Sequence, residues 1–328
     1  MTNYTIIIPH KNIPDLLCRC LDSIPIRDDV QIIVVDDNSE ITECNGINLT
    51  DLPQKYSYVE WRFQEGFRKR NPELEKLQNT DFYPYEKKRK GAGYARNLGL
   101  ERAKGKWLVF ADADDFFNPC LNECFDKYVD DENDIIFFYL NSVYSENIEI
   151  KADRVSYIND CLDEYNIQKN QKIFFKIYPN FGKFIKSDMV IKHGIKFQET
   201  KVSNDVYFSI LVNYYTNKKI IFNNTIYCVT YRNNSLENTH NFSRYREYFN
   251  IACKIHSQLK KIGIETYIQD IACAWWRRMR NVKQLLAYFY LYKITKYFGI
   301  KCSLSLFEND FPKIKKYLIW KLIKKFTK

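Results

Sequence analysis

Three runs of mainly apolar residues stand out in the first third of the chain, and none of them alternates apolar with polar positions. They are YTIIIP (4–9), VQIIVVDD (30–37) and KWLVFADAD (106–114). Strands that are buried on both faces have this continuous pattern, whereas a half-solvated strand alternates. The three runs therefore predict parallel strands in the interior of a sheet.

Helical segments separate these predicted strands. In DLLCRCLDSI (15–24) the leucines and Cys20 share one helical face, and GYARNLGLERAKG (93–105) leads into the third run. Strand, helix, strand and later helix, strand is the order found in an α/β sheet with right-handed crossovers. The predicted fold class is therefore α/β.

The remaining segments have weaker patterns. Residues 48–90 are polar and charged with little periodicity, which predicts a long loop with short helices. A second region, 171–232, contains runs such as KIFFKIYPN and KIIFNNTIYCVTYR. Beyond about residue 245 the pattern is helical, aromatic and basic. We therefore divide the chain into a domain at 1–245, with halves 1–120 and 121–245, and a helical region at 246–328.

Composition narrows the class of protein. The 328 residues suffice for one large core and a smaller second part, and the formal net charge of +10 is compatible with nucleic acid, anionic lipid or phosphorylated partners. The 10 cysteines include no CxxC pair, which indicates reduced thiols and argues against a structural metal. The sequence has neither a signal-peptide pattern nor an apolar run long enough to span a membrane, so we expect a cytoplasmic protein.

Carboxylates follow two of the predicted strands at their carboxyl ends. Asp36 and Asp37 end the second run, and Asp112 and Asp114 end the third. Ligands of open α/β sheets bind beyond these strand ends, so both clusters are expected to line one crevice. In extended chain Asp112 and Asp114 lie on the same side, where their charges repel. Either they form an exposed acidic turn, or a hard cation such as Mg²⁺ or Mn²⁺ binds between them and substrate phosphates, and we favour the cation.

Taken together, these segments resemble a known family. TIIIPHKN, IIVVDDNS and GAGYARNLGLERAKGKWLVFADADD look like the nucleotide-binding half of a family 2 glycosyltransferase, in matching order and spacing over residues 3–120. A weaker resemblance, to the acceptor side, continues over 179–209. The resemblance implies the GT-A fold, a Rossmann-like, mostly parallel sheet flanked by helices, here with a helical carboxyl-terminal extension. It also implies a nucleotide-diphosphate sugar donor and Mn²⁺ or Mg²⁺ as cofactor.

The resemblance assigns part of the nucleotide site to the ends of the first two predicted strands. Pro9 and His10 end the first strand, where the family's loop borders the nucleotide base. Asp36 or Asp37 would accept a hydrogen bond from the base, which is uracil in many family members. The resemblance therefore favours a UDP-linked donor.

The D-x-D segment and the preceding helix would complete the donor side. Asp114 would be the metal ligand that bridges to the diphosphate. Asp112 would lie near the ribose and the metal, and Ala113 between them would border the nucleotide sugar. Arg96 and Asn97 match the family's Ala-Arg-Asn sequence and would support the nucleotide site from the helix.

The acceptor side is implied by SNDVYF, where the family usually has Glu-Asp. Asp205 takes the position of the catalytic base, while Asn204 replaces the glutamate. Glu199 is a second candidate for the base, and Lys183 matches a position near the acceptor in relatives. His240 is a candidate metal or diphosphate ligand, although a histidine in a polar loop is more often solvated.

These roles imply a single displacement with inversion. Asp205 would take the proton of an acceptor hydroxyl while the oxygen attacks the anomeric carbon of the donor. The acceptor would be a glycan or a lipid-linked sugar, as in the assembly of bacterial capsule or lipooligosaccharide.

The last segment, FPKIKKYLIWKLIKKFTK (311–328), has an apolar helical face surrounded by lysines. Such a helix could bind the surface of an anionic membrane, which suits a lipid-linked acceptor. Packing of the same helix on the protein core is an equally good interpretation.

Two other functions are compatible with parts of the sequence. A sugar nucleotidyltransferase normally has a glycine-rich phosphate loop after its first strand, but IPHKNIPD contains no glycine. A nucleic-acid-binding protein would suit the charge of +10, but no recognisable nucleic-acid module is present, and an acidic crevice without metal repels phosphates. We therefore expect no nucleic-acid partner.

Overall fold

The computed structural model describes residues 1–84, 91–232 and 242–264. The chain separates into two compact units, Met1–Asn234 and Ser235–Lys328. The described part of the second unit contains one long helix, Phe242–Lys261. The predicted division at residue 245 stays a prediction, and the segment 311–328 lies outside the described residues.

All described strands belong to the first unit. They are β1 (Tyr4–His10), β2 (Val30–Asp36), β3 (Glu43–Cys44), β4 (Ile47–Asn48), β5 (Val59–Gln64), β6 (Thr80–Tyr83), β7 (Trp107–Phe110), β8 (Phe116–Phe117), β9 (Ile135–Tyr144), β10 (Asn147–Lys151), β11 (Lys183–Lys186) and β12 (Lys219–Tyr231).

The α-helices of the described chain are α1 (Pro14–Asp22), α2 (Leu52–Lys55), α3 (Glu65–Arg70), α4 (Ala92–Leu100), α5 (Leu121–Tyr128), α6 (Ser156–Gln168), α7 (Ser187–Lys192), α8 (Asn204–Tyr215) and α9 (Phe242–Lys261). Two short 3-10 helices cover Pro72–Lys76 and Gln171–Lys176.

Ten of the strands form one sheet in the order β6-β5-β2-β1-β7-β11-β9-β12-β8, with β10 paired to β9. The five strands from β6 to β7 are parallel to one another. β11 is antiparallel to both β7 and β9, while β12 runs parallel to β9. The prediction of an α/β fold with a mostly parallel sheet is therefore confirmed.

The three continuous apolar runs form the middle of this sheet. β1 lies between β2 and β7, with Ile7 opposite both Ile33 and Phe110. All three of these side chains are fully buried, and each contributes about 1.5–3 kcal/mol through the hydrophobic effect. The third strand ends at Phe110 rather than at Asp114, because the chain turns there and the N–H of Asp115 donates to the carbonyl of Asp112 at 3.0 Å.

The prediction of a long loop over residues 48–90 was wrong, because two parallel strands, β5 and β6, lie within that range. In β5 the large apolar side chains of Trp61 and Phe63 alternate with charged and polar ones. Arg62, on the opposite face, is also buried and donates to the carbonyl of Leu98 at 2.7 Å. The charged residues concealed a strand in which Arg62 is buried through its hydrogen bond to the end of α4.

Helix α4 packs on β1 and β2 because its apolar face is continuous. Its Tyr94, Ala95 and Leu98 form one buried cluster with Ile33 and Val35 of β2. This packing places the amino-terminal half of α4 beside the carboxyl ends of the central strands. Arg96 of α4 therefore faces the acidic segment after β7.

Gly105 lies where the chain passes closely over β1 before entering β7. A Cβ atom there would lie 2.4 Å from the carbonyl carbon of Tyr4 and 2.5 Å from the nitrogen of Thr5. The N–H of Gly105 donates to Oγ1 of Thr5 at 2.8 Å, and its carbonyl accepts from the hydroxyl of Ser187. Because backbone atoms surround this position, no side-chain rotation can make room.

We expect Gly105→Ala to lower the free energy of unfolding by about 1–3 kcal/mol or more, as overpacking does in well-filled cores. Gly66→Ala is the matched control, since the atom nearest to its Cβ would be 3.5 Å away. Urea denaturation followed by circular dichroism measures both variants. Equal stability of the two would contradict the close approach described at Gly105.

Candidate active site

The acidic segment after β7 places three carboxylates in three different environments. The side chains of Asp112 and Asp114 are 34% and 24% exposed. Asp115 is buried. Two carboxylates therefore remain accessible to a ligand, and the third points into the protein.

β12 holds this segment in place. The hydroxyl of Tyr227 accepts from the backbone N–H of Asp112 at 2.8 Å and donates to Oδ2 of Asp115 at 3.1 Å. Thr230 donates its backbone N–H to Oδ1 of Asp115 at 2.7 Å and its hydroxyl to the carbonyl of Asp114 at 2.7 Å. Sequence reasoning missed Tyr227 and Thr230, because nothing local connects them with residues so distant in the chain.

Burial, and then the charges of Asp114 and Asp112, raise the pKa of Asp115 well above its ordinary value. The hydrogen bonds from Thr230 and Tyr227 oppose that shift. Asp115 thus binds a proton more readily than an ordinary aspartate. We interpret Asp115 as a structural carboxyl group and not as a ligand of metal.

Arginines supply the positive charge that the exposed carboxylates require. Arg96, with a side chain that is 5% exposed, pairs with Oδ1 of Asp112 at 2.5 Å. Arg232 pairs with Oδ2 of Asp114. Arg19, from α1, donates to the backbone carbonyl of Asp114 at 2.6 Å. Of these three arginines, only Arg96 was predicted from the sequence. The one sequence signal for Arg232 as a site residue is its position directly after β12, the last long strand among the described residues.

Asp36 and His10 support each other below the surface. Both side chains are buried, and Nδ1 of His10 lies 2.8 Å from Oδ1 of Asp36. Nε2 of His10 accepts from the backbone N–H of Ile13, so Nδ1 carries the proton and donates to Asp36. The same carboxylate accepts from the N–H and hydroxyl of Ser39 at 2.8 and 2.5 Å. Asp36 and His10 therefore shape the loop after β2.

Asp37 is the more accessible of the two predicted base-binding carboxylates. Its Oδ1 accepts from the N–H of Gly91 at 2.9 Å, and Nζ of Lys11 lies 3.5 Å from its Oδ2. Gly91 precedes α4 and has a φ of +91°, a conformation that favours glycine. Pro9 lies within β1 opposite Val35. The geometry thus favours Asp37 over Asp36 as a group that meets a ligand.

Asn97 joins the two halves of the first unit. Its amide donates to the carbonyl of Phe197 at 3.0 Å and accepts from the N–H of the same residue at 2.8 Å. The amide nitrogen also lies 3.4 Å from Oε1 of Glu199. Asn97 therefore anchors the segment before α8 on α4, which makes its contribution to the site a positioning one.

Arg96 connects the same halves at the site itself. Besides pairing with Asp112, its guanidinium donates to Oδ1 of Asn204 at 2.7 Å and lies over the ring of Phe197. Asn204 is the residue that replaces the expected glutamate, and it begins α8. A neutral amide oxygen accepts this hydrogen bond without adding a further negative charge near Asp112.

Asp205, in the first turn of α8, lies within electrostatic range of Arg96 and Asp112. Burial raises the pKa of Asp205 above its ordinary value, while the positive charge of Arg96 opposes the shift. Of the predicted residues, the structure thus brings Asp112, Arg96 and Asp205 into one cluster. Ala113 is buried between the two exposed carboxylates.

Lys183 is a buried lysine beside this cluster. Its Nζ donates to the carbonyl of Ile177 at 3.2 Å and lies over the ring of Phe137. Burial lowers the pKa of Lys183 to about 7, and the charge of Asp205 opposes that shift. Gly182, with a φ of +67°, precedes it and packs against Leu140. Lys183 can therefore change its charge near neutral pH, next to the predicted base.

The oxygen donors of Asp112 and Asp114 fit Mg²⁺ or Mn²⁺ in chemical type. Among the described residues there is no group of three or more His, Cys, Asp or Glu side chains that could hold a metal ion. Mg²⁺ is commonly bound by one or two carboxylates together with substrate phosphates and water. The two carboxylates therefore fit a cation that binds with a phosphorylated ligand, and His240 lies outside the described residues.

Part of the chain is similar in sequence to known proteins. Residues 73–192 match the model of the glycosyl transferase family 2 domain. The protein EpsH of Bacillus subtilis strain 168, itself only provisionally assigned as a glycosyltransferase, is 23% identical over 134 residues, which are 40% of this chain and 32% of EpsH. This match thus spans about a third of the length of that relative.

Solved structures show the same fold. The crystal structure of S. aureus TarS 1-349 in complex with UDP-GlcNAc has a TM-score of 0.61 and 16% identity, covering 90% of this chain and 80% of that one. A second structure of TarS 1-349 has a TM-score of 0.57 and 15% identity, covering 93% and 76%. The fold is that of the GT-A glycosyltransferases, and the segment 73–192 is similar in sequence to the family 2 domain.

The helices of the described residues were compared with the length and hydropathy that a membrane-spanning helix needs. No helix among residues 1–84, 91–232 and 242–264 is both long and apolar enough to cross a bilayer.

We expect Lys183→Met to be more stable than the wild type, by an amount that depends on pH. Below a pH of about 7 the lysine is charged in both the folded and the unfolded chain, so the full cost of its burial is present. As the pH rises from about 7 toward the ordinary lysine value of 10.5, the folded protein loses this proton first and the cost declines. The stability gain of the variant should therefore be largest at low pH and shrink as pH rises.

Urea midpoints measured from about pH 6 to pH 9.5 test this expectation. Lys104→Met is the matched control, because the Lys104 side chain is 67% exposed. A gain at Lys183 that is the same at every pH would contradict the titration.

Proposed function

We propose that this protein is an inverting glycosyltransferase that moves a sugar from a UDP-linked donor to a hydroxyl of a glycan or lipid-linked acceptor, with Mn²⁺ or Mg²⁺. The observation that carries the proposal is Arg96, which contacts Asp112 on the donor side and Asn204, the neighbour of Asp205, on the acceptor side. The match of residues 73–192 to the glycosyl transferase family 2 model supports the reaction class. The complex of TarS with UDP-GlcNAc supports the choice of donor.

On the donor side, each group has a distinct task. Asp37 would accept a hydrogen bond from the base, while the His10–Asp36 pair holds the loop on which Asp37 lies. Asp114 and Asp112 would hold the divalent cation, which supplies positive charge against the charge that develops on the leaving diphosphate. Tyr227 keeps the turn that carries both carboxylates in position, because its hydroxyl accepts a hydrogen bond from the N–H of Asp112.

On the acceptor side, Asp205 would act as the general base. A hydroxyl of the acceptor gives its proton to the Asp205 carboxylate while its oxygen bonds to the anomeric carbon, and the nucleoside diphosphate leaves from the opposite face. Burial makes the carboxylate more basic, and the charge of Arg96 keeps it ionised. Because one displacement occurs, the anomeric configuration inverts.

Lys183 would support this base from behind. A positive charge on the buried lysine favours the ionised form of Asp205. Once the carboxylate has taken up the acceptor proton, the lysine charge loses this favourable interaction. We assign Lys183 to the acceptor side on this ground. Glu199 is tied to Asn97 and is the second candidate for the base.

The biological setting follows from the family resemblance. We propose that the product belongs to a bacterial surface polysaccharide, such as a capsule or lipooligosaccharide, made on the cytoplasmic side of the membrane. Residues 311–328 would then provide peripheral contact with the lipid surface on which the acceptor lies.

The direct test of this function is a screen of nucleotide sugars for release of nucleoside diphosphate, with Mn²⁺ and with chelator. We expect release from a UDP-sugar in the presence of Mn²⁺ and none with chelator. Release from no nucleotide sugar, combined with salt-sensitive retention of DNA, would instead favour a nucleic-acid-binding protein.

We expect Asp114→Ala to abolish transfer and to remove Mn²⁺-dependent binding of UDP, because the proposed cation loses its ligand. The backbone of the turn should persist, since Tyr227 and Thr230 hold it through other atoms. Calorimetry with UDP, in Mn²⁺ and in chelator, measures the effect. Unchanged Mn²⁺-dependent binding would show that another residue holds the metal.

We expect Asp205→Asn to reduce turnover by about 10²–10⁴-fold, the usual contribution of a general base, with donor binding close to normal. The asparagine retains the shape of the side chain but accepts no proton at neutral pH. Glu199→Gln is the control and should remain active. If Glu199→Gln is inactive and Asp205→Asn is active, the base has been assigned to the wrong carboxylate.

A further inference from the structure

The two arginine–carboxylate pairs of the site differ in how exposed their arginines are. The Arg96 side chain is 5% exposed and is fixed by Asp112, Asn204 and the ring of Phe197. The Arg232 side chain is 28% exposed, and its partner Asp114 is 24% exposed. A ligand approaching from solvent can thus reach the guanidinium of Arg232 more easily than that of Arg96, while Asp112 and Asp114 are both partly exposed.

The position of Asp114 does not depend on Arg232. Its backbone carbonyl accepts from Arg19 at 2.6 Å and from the hydroxyl of Thr230 at 2.7 Å. Arg19 is itself anchored by the carbonyl of Ser145 at 3.2 Å and lies over the ring of Phe116. The turn can therefore keep its shape if the guanidinium of Arg232 moves away from the carboxylate.

Arg232 and a divalent cation need the same carboxylate. The guanidinium of Arg232 pairs with Oδ2 of Asp114, and two positive groups on one carboxylate repel each other. A cation that binds Asp114 therefore weakens its pair with Arg232, and displacing the guanidinium has a cost in free energy. The displaced guanidinium would then lie beside the cation, where the proposed function places the donor diphosphate, and phosphate oxygens suit the planar fork of arginine well.

We propose that Arg232 is an exchange residue: it neutralises Asp114 in the free protein and transfers to the donor diphosphate when the metal binds Asp114. This inference rests on the proposed function, since it requires a diphosphate at the site. The exchange couples the two ligands, because the metal alone must break the Arg232–Asp114 pair without replacement, whereas metal and diphosphate together provide Arg232 with a new partner. The free protein therefore binds the metal weakly until the donor arrives.

The test compares Arg232→Met and Arg232→Lys with the wild type by calorimetry, using Mn²⁺ alone, UDP alone and UDP with Mn²⁺. Arg232→Met has no cation to compete for Asp114, so it should bind Mn²⁺ alone more tightly than the wild type. It should bind UDP in the presence of Mn²⁺ about tenfold or more weakly, the effect of losing a charge-assisted hydrogen bond. These opposite changes distinguish exchange from a purely structural role, which would weaken both.

Arg232→Lys keeps the charge but not the planar fork. We expect its affinity for Mn²⁺ alone to stay close to that of the wild type and its affinity for UDP with Mn²⁺ to lie between the other two proteins. Arg102→Met is the control, since Arg102 forms an exposed pair with Asp81, with side chains 54% and 46% exposed. Circular dichroism checks that each variant is folded.

The same measurements distinguish a wrong assignment of Arg232 from a wrong assignment of the protein as a glycosyltransferase. If the wild type binds UDP with Mn²⁺ but Arg232→Met shows unchanged or weaker affinity for Mn²⁺ alone, the exchange is overturned and the glycosyltransferase proposal stands. If the wild type binds neither UDP nor GDP in the presence of Mn²⁺, both are overturned.

Discussion

The constraint on which the candidate site depends is the compensation of three carboxylates that follow one buried strand. Asp112 and Asp114 remain partly exposed, each paired with an arginine, while Asp115 is buried and hydrogen-bonded to β12. The groups that compensate these charges come from α1, α4, β12 and Arg232, which follows β12. Much of the first unit must therefore fold before the turn is stable. A buried or half-buried carboxylate without such partners would cost several kcal/mol.

Helix α4 connects the acidic turn with the segment before α8. Its apolar face packs on β2, while Arg96 and Asn97 extend to the acidic turn and to the segment before α8. The donor side and the acceptor side therefore share one helix as their common support. A displacement reaction requires the attacking oxygen and the anomeric carbon to be held within about 3–3.5 Å, and rigid elements hold such a geometry better than loops do.

The central sheet and the accessible carboxylates could be predicted because their signals are local. Continuous apolar runs identify β1, β2 and β7, and acidic residues directly after such runs point to the crevice. β5 escaped because charged or polar residues occupy every second position, and its Arg62 is buried through a hydrogen bond to α4. Tyr227, Thr230 and Arg232 escaped because their partners are more than a hundred residues away in the chain, a separation of 118 for Arg232. The different roles of Asp36 and Asp37 depend on hydrogen bonds that only the folded chain reveals.

The central claim is that Asp114 holds a cation shared with the diphosphate of a nucleotide sugar. Crystals grown with UDP and Mn²⁺, with data collected at the manganese absorption edge, test it most directly. We predict one anomalous peak at bonding distance from the Asp114 carboxylate, with the diphosphate on its other side and the guanidinium of Arg232 on the phosphate oxygens. A manganese peak elsewhere, with Asp114 still paired to Arg232 and nucleotide bound, would contradict it.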